Sequence, residues 1–302
     1  MLANPLYARA YDGFLRYGST CNTLREGSDG AGGFLVPDEF ENKIVRAMKQ
    51  KNILRQLATT MTTNRNWKIP VAVGDGHAYW VPEEGPFPVE STTFDQLEMG
   101  AYKLATMTLV TDELLEDSVF DIEDFIADEF AMRLANAEED AFLHGDGDGK
   151  PLGLTRQLES VVTTENAGII QIEDLLELQY AIPEPYRDNA VFLMSDAAVR
   201  ELCKIRSAFD RNIWEGDMCK DVPVKLLGKQ VIVCDALPAP ESGSMPILYG
   251  DFSRYVIGDR EHRSVKRLNE LYARQGQVAY LISQRVDATL MDKRAIAGLK
   301  IR

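Results

Sequence analysis

Residues 31–40 read Ala-Gly-Gly-Phe-Leu-Val-Pro-Asp-Glu-Phe, and the fold prediction starts from this stretch. A glycine pair leads into an extended apolar run that ends at Pro37. Asp38 can then cap a helix, because its carboxylate can accept hydrogen bonds from the first free backbone N–H groups. The apolar residues of that predicted helix recur on one face: Phe40, Ile44, Val45 and Met48.

A long acidic helix and a glycine-rich loop follow later in the chain. Asp121 can cap the helix and Gly145 is expected to end it, which gives a length of about 36 Å, suited to a spine. Residues 143–154 continue as Leu-His-Gly-Asp-Gly-Asp-Gly-Lys-Pro-Leu-Gly-Leu. The apolar positions of the helix recur at steps of three and four: Ile122, Phe125, Ile126, Phe130, Leu134, Ala137 and Ala141.

Residues 64–111 predict a long, projecting, β-rich loop. Its tip, residues 82–88, contains three prolines and cannot be a central strand, since proline lacks the N–H that a sheet requires. Exposed Trp80 and Phe87 would promote aggregation of a monomer, so we expect this loop to lie on a neighbouring subunit. Before the tip, a Gly-Asp-Gly turn separates two predicted strands, at residues 67–73 and 77–81.

The second half of the chain alternates helical and strand-like patterns, which makes the whole protein α+β. Ser195 is expected to cap one of the helices. The predicted helices cover residues 174–182 and 196–205. The predicted strands cover residues 190–194, 230–234, 247–257, 266–269, 278–283 and 295–301.

These features, in this order, resemble the major capsid proteins of tailed phages, whose fold is called the HK97 fold. The resemblance extends over nearly the entire chain. It rests on the glycine pair with its apolar run, the long hairpin, the long helix and the Pro-Leu-Gly-Leu loop. It implies an N-arm (1–30), a peripheral domain (31–63, 112–172 and 243–302), an E-loop that is a long β-hairpin (64–111) and an axial domain (173–242). Residues 121–144 resemble the spine helix of the peripheral domain and residues 145–154 the G-loop.

The resemblance implies a structural protein and no enzyme. Such a subunit self-assembles into hexamers and pentamers that form an icosahedral shell around double-stranded phage DNA. The implied location is the virion capsid, assembled in the host cytoplasm. Scaffolding, portal and decoration proteins are the implied partners, beside DNA held without sequence-specific binding. The residues expected to make assembly contacts lie in the E-loop and G-loop: Trp80, Glu83, Glu84, Phe87, Asp146, Asp148 and Lys150.

The sequence departs from the family's pattern in two respects. Some members cross-link a Lys of the E-loop to an Asn near the end of the chain, aided by a Glu. Here Asp292 stands at the Asn position and Leu299 at the Glu position, which argues against covalent cross-linking and for noncovalent stabilisation. Many precursors also begin with a scaffolding segment. No heptad-rich segment of that kind stands before the arm in this sequence, so we expect either a processed form or a separate scaffold.

Composition excludes several other classes of protein. A formal charge of −14 opposes nucleic-acid recognition, which depends on clustered Lys and Arg. The chain has no apolar run long enough to span a bilayer, so we expect a soluble protein with no membrane contact. The four cysteines lack CxxC spacing, which favours free thiols in a reducing compartment: Cys21, Cys203, Cys219 and Cys234.

Charge is distributed unevenly along the chain. Residues 111–150 hold 14 acidic residues against two basic ones, whereas residues 251–302 hold 11 basic and 6 acidic residues. The acidic surface of one copy would therefore attract the basic surface of a neighbouring copy. A solvated acidic helix face explains the first stretch equally well.

The phosphate-binding and metal-binding motifs that the sequence partly matches are incomplete, so no cofactor or metal is predicted. A P-loop needs Gly where His144 stands and Ser or Thr where Pro151 stands. An EF-hand pattern begins at Asp146 and Asp148 and is broken by Lys150. The three histidines share no metal spacing and are interpreted as solvated surface residues: His77, His144 and His262.

Two further groups of charged residues receive ordinary interpretations. Glu138 and Glu139 point to different faces of the predicted helix, which favours solubility and pairing between subunits over a catalytic carboxylate pair. Three basic residues could face either packaged DNA or acidic groups of a neighbouring subunit: Arg200, Lys204 and Arg206. The sequence does not distinguish between these two possibilities.

Two other functions remain as alternatives. An encapsulin, a bacterial nanocompartment shell that encloses protein cargo, has the same fold but lacks a long arm before the first helix. A cytosolic hydrolase that uses acidic residues belongs to a different class. A discrete monomer with a ligand-sized pocket would favour the hydrolase.

Overall fold

The computed structural model of the chain describes residues 34–35, 38–64, 67–73, 80–81, 93–117, 122–205, 225–260 and 263–302. Within them, the α-helices are α1 (Asp38–Lys51), α2 (Ile53–Leu57), α3 (Asp112–Asp117), α4 (Ile122–His144), α5 (Leu154–Gln157), α6 (Ile172–Tyr180), α7 (Glu184–Arg187) and α8 (Asp196–Cys203). The strands are β1 (Phe34–Leu35), β2 (Thr59–Thr63), β3 (Trp67–Val73), β4 (Thr93–Met99), β5 (Tyr102–Thr111), β6 (Ser160–Thr163), β7 (Val191–Met194), β8 (Lys225–Leu226), β9 (Lys229–Val233), β10 (Ile247–Gly250), β11 (Tyr255–Arg260), β12 (Ser264–Leu268), β13 (Gln277–Leu290) and β14 (Ile296–Lys300).

The first sheet is built around the long strand β13. Strand β5 pairs antiparallel with β13 from Tyr102 to Thr111. Strands β11 and β12 also pair antiparallel with β13, each with a different half of it. Strand β2 then joins β11 in parallel and β1 joins β12 antiparallel. The extended run at the start of the chain thus becomes an edge of this sheet.

Helices α1 and α4 pack together on one face of the first sheet. Ile44 and Met48 of α1 are buried against Ile126, Phe130 and Leu134 of α4, as the predicted periodicity requires. The predicted apolar stripe of α4 is wrong at Phe125 and Ala137, which are exposed. Side chains outside the predicted stripe also line the core: Ala127, Ala131 and Ala135.

The second sheet has the strand order β6-β14-β10-β7-β9-β8. Ser195 caps α8 as predicted, since its hydroxyl accepts a hydrogen bond from the Ala198 N–H. Strands β10 and β14, which lie in the predicted peripheral domain, pair with one another. Strand β10 also pairs with β7, which lies in the predicted axial domain. The stretch 243–302 therefore supplies strands to both sheets.

The predicted strand at residues 247–257 is wrong as a single strand. Strand β10 ends at Gly250, and a 3-10 turn over Phe252–Arg254 leads into β11 of the other sheet. Asp251 caps this turn by accepting a hydrogen bond from the Ser253 N–H. The apolar run is continuous because both strands are buried, so the sequence pattern does not reveal the turn between them.

A hairpin extends from the first sheet. Strand β3, which was predicted, pairs antiparallel with β4. The pairing begins with Trp67 opposite Met99 and ends with Val73 opposite Thr93. The predicted strand at 77–81 lies mostly outside the described residues, and Trp80 and Val81 are not in a strand. Strand β5, predicted as part of the projecting loop, lies in the first sheet.

A third cluster of buried side chains joins the two sheets where α4 ends. Phe142 and Leu143 of α4 pack there with Leu193 and Leu248 of the second sheet and Tyr255 of the first. The Tyr255 hydroxyl donates to the Phe142 carbonyl at 3.2 Å. The end of the long helix is thereby fixed between the sheets. No helix within the described ranges combines the length and apolar character needed to cross a membrane.

Candidate functional site

The long helix ends in a loop that closes on itself, the glycine loop (residues 145–154). The Gly153 N–H donates to the Gly145 carbonyl at 2.9 Å, and Asp146 pairs with Leu152 as an isolated β-bridge. A Cβ at Gly153 would lie 2.5 Å from Gly145 N and 2.6 Å from Leu143 O. Glycine is therefore required there by the close approach of two backbone segments, and Gly145 ends α4 as predicted.

Side chains from neighbouring elements hold the glycine loop in place. The Tyr102 hydroxyl donates to the Gly147 carbonyl at 3.1 Å, which ties the loop to the start of β5. The Thr155 hydroxyl donates to the Leu143 carbonyl at 2.7 Å. Gln157 donates to the Leu152 carbonyl at 2.6 Å and accepts from the Leu290 N–H at 2.9 Å. The loop is thus fixed relative to the first sheet.

The structure brings the three predicted assembly residues of this loop together at its exposed end. Asp146 accepts a hydrogen bond from the Asp148 N–H at 3.2 Å, and this bond lowers the pKa of the Asp146 carboxyl. Lys150 lies 3.9 Å from Asp146, a surface ion pair that contributes little stability. All three side chains are exposed, so they are free to meet another molecule.

The root of the hairpin is anchored in the first sheet. Met99 is buried against Gly258, where a Cβ would overlap the Met99 sulfur. The Gly100 N–H donates to Asp287 Oδ2 at 2.5 Å. Burial raises the pKa of Asp287, and the hydrogen bonds from the Gly100 and Ala288 N–H groups oppose this rise.

Only one predicted assembly residue of the hairpin is described by the structure. Trp80 is fully exposed, with a relative accessibility of 103%. Glu83, Glu84 and Phe87 lie outside the described residues. The contacts of all these residues with other subunits stay a prediction.

A buried ionic cluster lies between the long helix and the first sheet, and sequence reasoning missed it. The Arg55 guanidinium donates to both Glu138 oxygens, at 2.6 and 2.8 Å, and to both Asp259 oxygens, at 2.8 Å each. The Gln284 amide donates to Glu138 Oε1 at 2.5 Å. Arg263 Nε in turn donates to Gln284 Oε1 at 2.8 Å. These five residues come from five separate segments of the chain.

Burial and charge act in opposite directions in this ionic cluster. The side chain of Glu138 has no exposed surface, and burial raises its pKa against the pull of Arg55. Burial also raises the pKa of Asp259, but the hydrogen bonds and charge of Arg55 outweigh this effect and leave the pKa lowered. A single guanidinium thus holds two carboxylates.

The expectation that Glu138 and Glu139 serve solubility and pairing between subunits is wrong, because both are buried. Glu139 accepts a hydrogen bond from the Ile53 N–H, the first residue of α2, at 2.8 Å. Asn52 caps the same helix and also donates to the Ala135 carbonyl at 3.3 Å. The acidic residues of α4 therefore position the short helix that carries Arg55.

His144 is not a solvated surface residue, which corrects that expectation for one of the three histidines. It is half-buried, with Nε2 at 2.9 Å from the Ala236 carbonyl oxygen. His77 and His262 lie outside the described residues. Among the basic residues of α8 and its end, Lys204 pairs with Glu201 at 2.7 Å, and Arg206 is outside the described part.

The two positions that bear on cross-linking are both engaged within the subunit. Asp292 accepts a hydrogen bond from the Tyr186 hydroxyl at 2.5 Å and pairs with Arg294 at 3.1 Å. Leu299 is fully buried in β14. Neither position has the side chain, Asn or Glu, that the cross-linking reaction uses in the family that this chain resembles.

Comparison with known proteins gives a consistent result. The model of the phage capsid family matches residues 32–301. The major capsid protein of Klebsiella oxytoca phage phiKO2 is 23% identical over 128 residues, 41% of this chain and 30% of that protein. The major capsid protein of Escherichia phage T5 is 27% identical over 123 residues, 38% of this chain and 27% of that protein. The matched stretch thus spans less than a third of each of these two relatives.

Solved structures match over a larger part of the chain. The capsid of a native GTA particle, computed with C5 symmetry, matches with a TM-score of 0.74 and 27% identity over 82% of this chain and 89% of that chain. A chain of Gordonia phage Cozz matches with a TM-score of 0.65 and 16% identity over 83% of this chain and 86% of that chain. These matches confirm the predicted α+β, HK97-like capsid fold.

Proposed function

This chain belongs to the phage capsid family, whose role is structural and not enzymatic, and we propose that it is the major capsid protein of a phage. As such it self-assembles into hexamers and pentamers that form an icosahedral shell around double-stranded DNA. The observation that carries this proposal is the match to a GTA capsid over 82% of the chain. That capsid was computed with C5 symmetry, the symmetry of a pentamer.

The geometry of the subunit supports a role in assembly. Trp80, which follows β3 in the chain, is fully exposed, and the glycine loop presents charged residues on a rigid frame. Surfaces of this kind give many weak contacts to neighbours, and once one contact holds, the next forms at high effective concentration. A shell can then be stable although each interface is weak enough to correct errors.

The proposed roles of the parts of the chain are those that the resemblance implies. Residues 1–30 serve as the N-arm and residues 64–111 as the E-loop. The peripheral domain comprises residues 31–63, 112–172 and 243–302, and the axial domain residues 173–242. The hairpin and the glycine loop make the assembly contacts, and the axial domain surrounds the five- and six-fold axes.

The proposal also covers what the shell encloses and binds. The net charge of −14 suggests an acidic inner wall. Such a wall would repel DNA and let it slide during packaging. Scaffolding, portal and decoration proteins are the proposed partners, and the shell assembles in the host cytoplasm.

Analytical ultracentrifugation of the purified protein, with negative-stain imaging of the heaviest fraction, tests the proposal. We expect closed icosahedral particles or rings of five and six subunits. Double-stranded DNA inside particles purified from infected cells distinguishes a phage shell from a cargo-filled nanocompartment, which none of the relatives named above favours. A monomer or dimer at every concentration and salt, even with a scaffolding protein added, contradicts the proposal.

A further inference from the structure

Strand β5 forms an edge of the first sheet. It pairs with β13 on one side, and no strand that the structure describes pairs with its other side. This strand is ten residues long, contains no proline, and pairs with β13 without a bulge. Proteins usually protect such an edge with proline, bulges or charges, because its unpaired N–H and C=O groups can bind another strand. The free edge of β5 is therefore a place where a further strand can pair.

The backbone groups on the free edge belong to every second residue of β5. In an antiparallel pair, hydrogen-bonded and non-hydrogen-bonded positions alternate. The Asp112 N–H donates to the Gly276 carbonyl at 3.0 Å, which places the even-numbered residues in hydrogen bonds with β13. The Met107 carbonyl points away from β13, because it accepts from Arg133 of α4 at 2.7 Å. The outward residues are therefore the odd-numbered ones: Lys103, Ala105, Met107, Leu109 and Thr111.

The described part of the chain covers little of this edge. Ala105 and Thr111 are exposed, and so is Leu109, with 44% of its surface accessible. Met107 is half-buried. Among the described residues, only the Met107 carbonyl of the outward backbone groups has a hydrogen-bond partner. The edge thus combines accessible backbone groups with exposed apolar surface at its centre.

The two ends of the edge carry opposite charges. Lys103 and Arg285 lie directly opposite one another at the start of β5, and both are exposed. Asp112 and Glu113 follow the end of β5, in the first turn of α3, and are also exposed. None of the four forms an ion pair with a described residue. About 30 Å of strand separates the two ends, so salt screens them from one another and each is available to a partner.

We propose that β5 pairs antiparallel with β5 of a second copy of this chain, an inference that rests on the proposed function and adds a two-fold contact to the shell. In a two-fold interface the same surface of both copies meets itself, so the surface has to be self-complementary. Antiparallel pairing brings the basic end of each copy to the acidic end of the other. Parallel pairing would bring like charges together, which destabilises a sheet.

The positions of the outward residues also select the register. All five find a partner when Met107 of one copy lies opposite Met107 of the other. Lys103 then lies opposite the second copy's Thr111 and next to the second copy's Asp112. The two Met107 residues exchange backbone hydrogen bonds, and each carbonyl can still accept from Arg133 because it has two lone pairs. Residues opposed in this way have Cα atoms about 5.5 Å apart.

A disulfide at the two-fold axis tests the pairing. Met107→Cys places two thiols on Cα atoms about 5.5 Å apart, within the range that a disulfide spans. Leu109→Cys is the matched control. Each Leu109 lies opposite Ala105, so the two introduced cysteines are about 14 Å apart along the strands and cannot join. Leu109 is more exposed than Met107, so random collisions would favour the control.

Both variants are assembled and then oxidised with diamide, and peptide mass spectrometry locates the disulfide. This step separates the introduced bond from bonds to the four native cysteines. Met107→Cys is expected to give about tenfold more linked dimer than Leu109→Cys, counted on total protein.

Reversal of the charged ends, in the Met107→Cys protein, tests their role. K103E/R285E and D112K/E113K should each lower the yield of linked dimer about tenfold, since each end occurs twice in a two-fold contact. The variant that combines all four changes should recover to within about threefold, because both ends then change sign. Thermal unfolding verifies that each variant folds. A loss of stability alone cannot produce that recovery.

Two results overturn the inference. Particles in which Met107→Cys links no more than Leu109→Cys would show that the two β5 strands are not paired. A fourfold variant that does not recover would show that the charged ends do not face one another. Both results leave the proposed function intact, because particles have formed. If the wild type forms no particles, the proposed function fails and the inference fails with it.

Discussion

Arg55 shows at the scale of single residues how distant parts of the chain are held together. Its guanidinium joins Glu138 of the long helix to Asp259 of β11, positions separated from it by 83 and 204 residues. A buried ion pair is not in itself strong evidence of stability, since removing the charges from water costs about as much as their attraction returns. Loss of one partner is different, because the remaining charge stays buried.

Arg55→Met should therefore destabilise the subunit by about 3–5 kcal/mol in urea unfolding. Glu138 would lose the Arg55 cation in a site with no exposed surface, and the partly exposed Asp259 would keep only Arg263, at 3.9 Å. Lys68→Met is the control. Its ion pair with Glu98 is 62% and 68% exposed on the two sides, so the loss of stability should be much smaller than for Arg55→Met. Equal effects of the two substitutions would contradict a structural role for the cluster.

The buried thiol of Cys234 should be chemically inert in the folded subunit. Burial, aided by the nearby charge of Glu139, raises the pKa of Cys234 to about 12. At pH 8 its thiolate population is then roughly a thousandfold below that of an ordinary cysteine. Peptide-level mass spectrometry after brief maleimide labelling should find Cys234 unmodified in the native protein and modified after denaturation. Rapid native labelling would show that this region opens.

At the scale of elements, the glycine loop contains two glycines that are required for different physical reasons. Gly153 has an ordinary φ of −66° but no room for a Cβ, whereas Gly149 has a φ of +69° and open space around it. Gly153→Ala should cost about 1–3 kcal/mol or more, since only backbone can move aside. Gly149→Ala should cost about 1 kcal/mol from backbone strain. Thermal unfolding compares the two, and a larger loss for Gly149→Ala would contradict the close approach.

The hairpin is an element whose removal should affect assembly and spare folding. Deleting residues 76–90 leaves β3 and β4 paired and the root contacts of Met99 and Gly100 in place. The variant should remain soluble, with an unfolding midpoint within a few degrees of wild type, because the pairing of β3 with β4 and the described buried clusters involve none of the deleted residues. It should form no closed shells in negative stain. Normal particles would refute the assignment of this element to assembly.

Elements set by local chemistry could be predicted from the sequence, and elements set by distant contacts could not. The end of α4 at Gly145, the Ser195 cap and strand β3 follow from a few adjacent residues. The division of residues 247–257 between two sheets depends on which strands lie beside each half. A continuous apolar run is equally compatible with one buried strand or two.

The same distinction applies to the candidate site. Exposure of Trp80 and the tight glycine loop agree with what the turn and loop residues suggested. The ionic cluster could not be predicted, because Glu138 resembles any other acidic residue of an acidic helix. Only the packing of α2 against α4 brings Arg55 to it.

At the scale of the whole molecule, assembly has to overcome the subunit's own charge. Each copy carries a formal charge of −14, so copies repel one another in bulk while particular surfaces attract. In the proposed shell, contacts that are weak singly would then form together, through the hairpin and the glycine loop. Such multivalent association is cooperative, since an incomplete shell offers fewer contacts per copy than a closed one.

This cooperativity predicts a sharp concentration threshold for the wild type. Below the threshold, sedimentation velocity should find free subunits or single capsomers, and above it every added subunit should enter closed shells while the free concentration stays constant. The threshold should rise about tenfold when one assembly contact is weakened, because the same change is repeated in every copy of the shell. A gradual increase in average size over a hundredfold range of concentration would indicate independent pairwise binding and would contradict a multivalent shell.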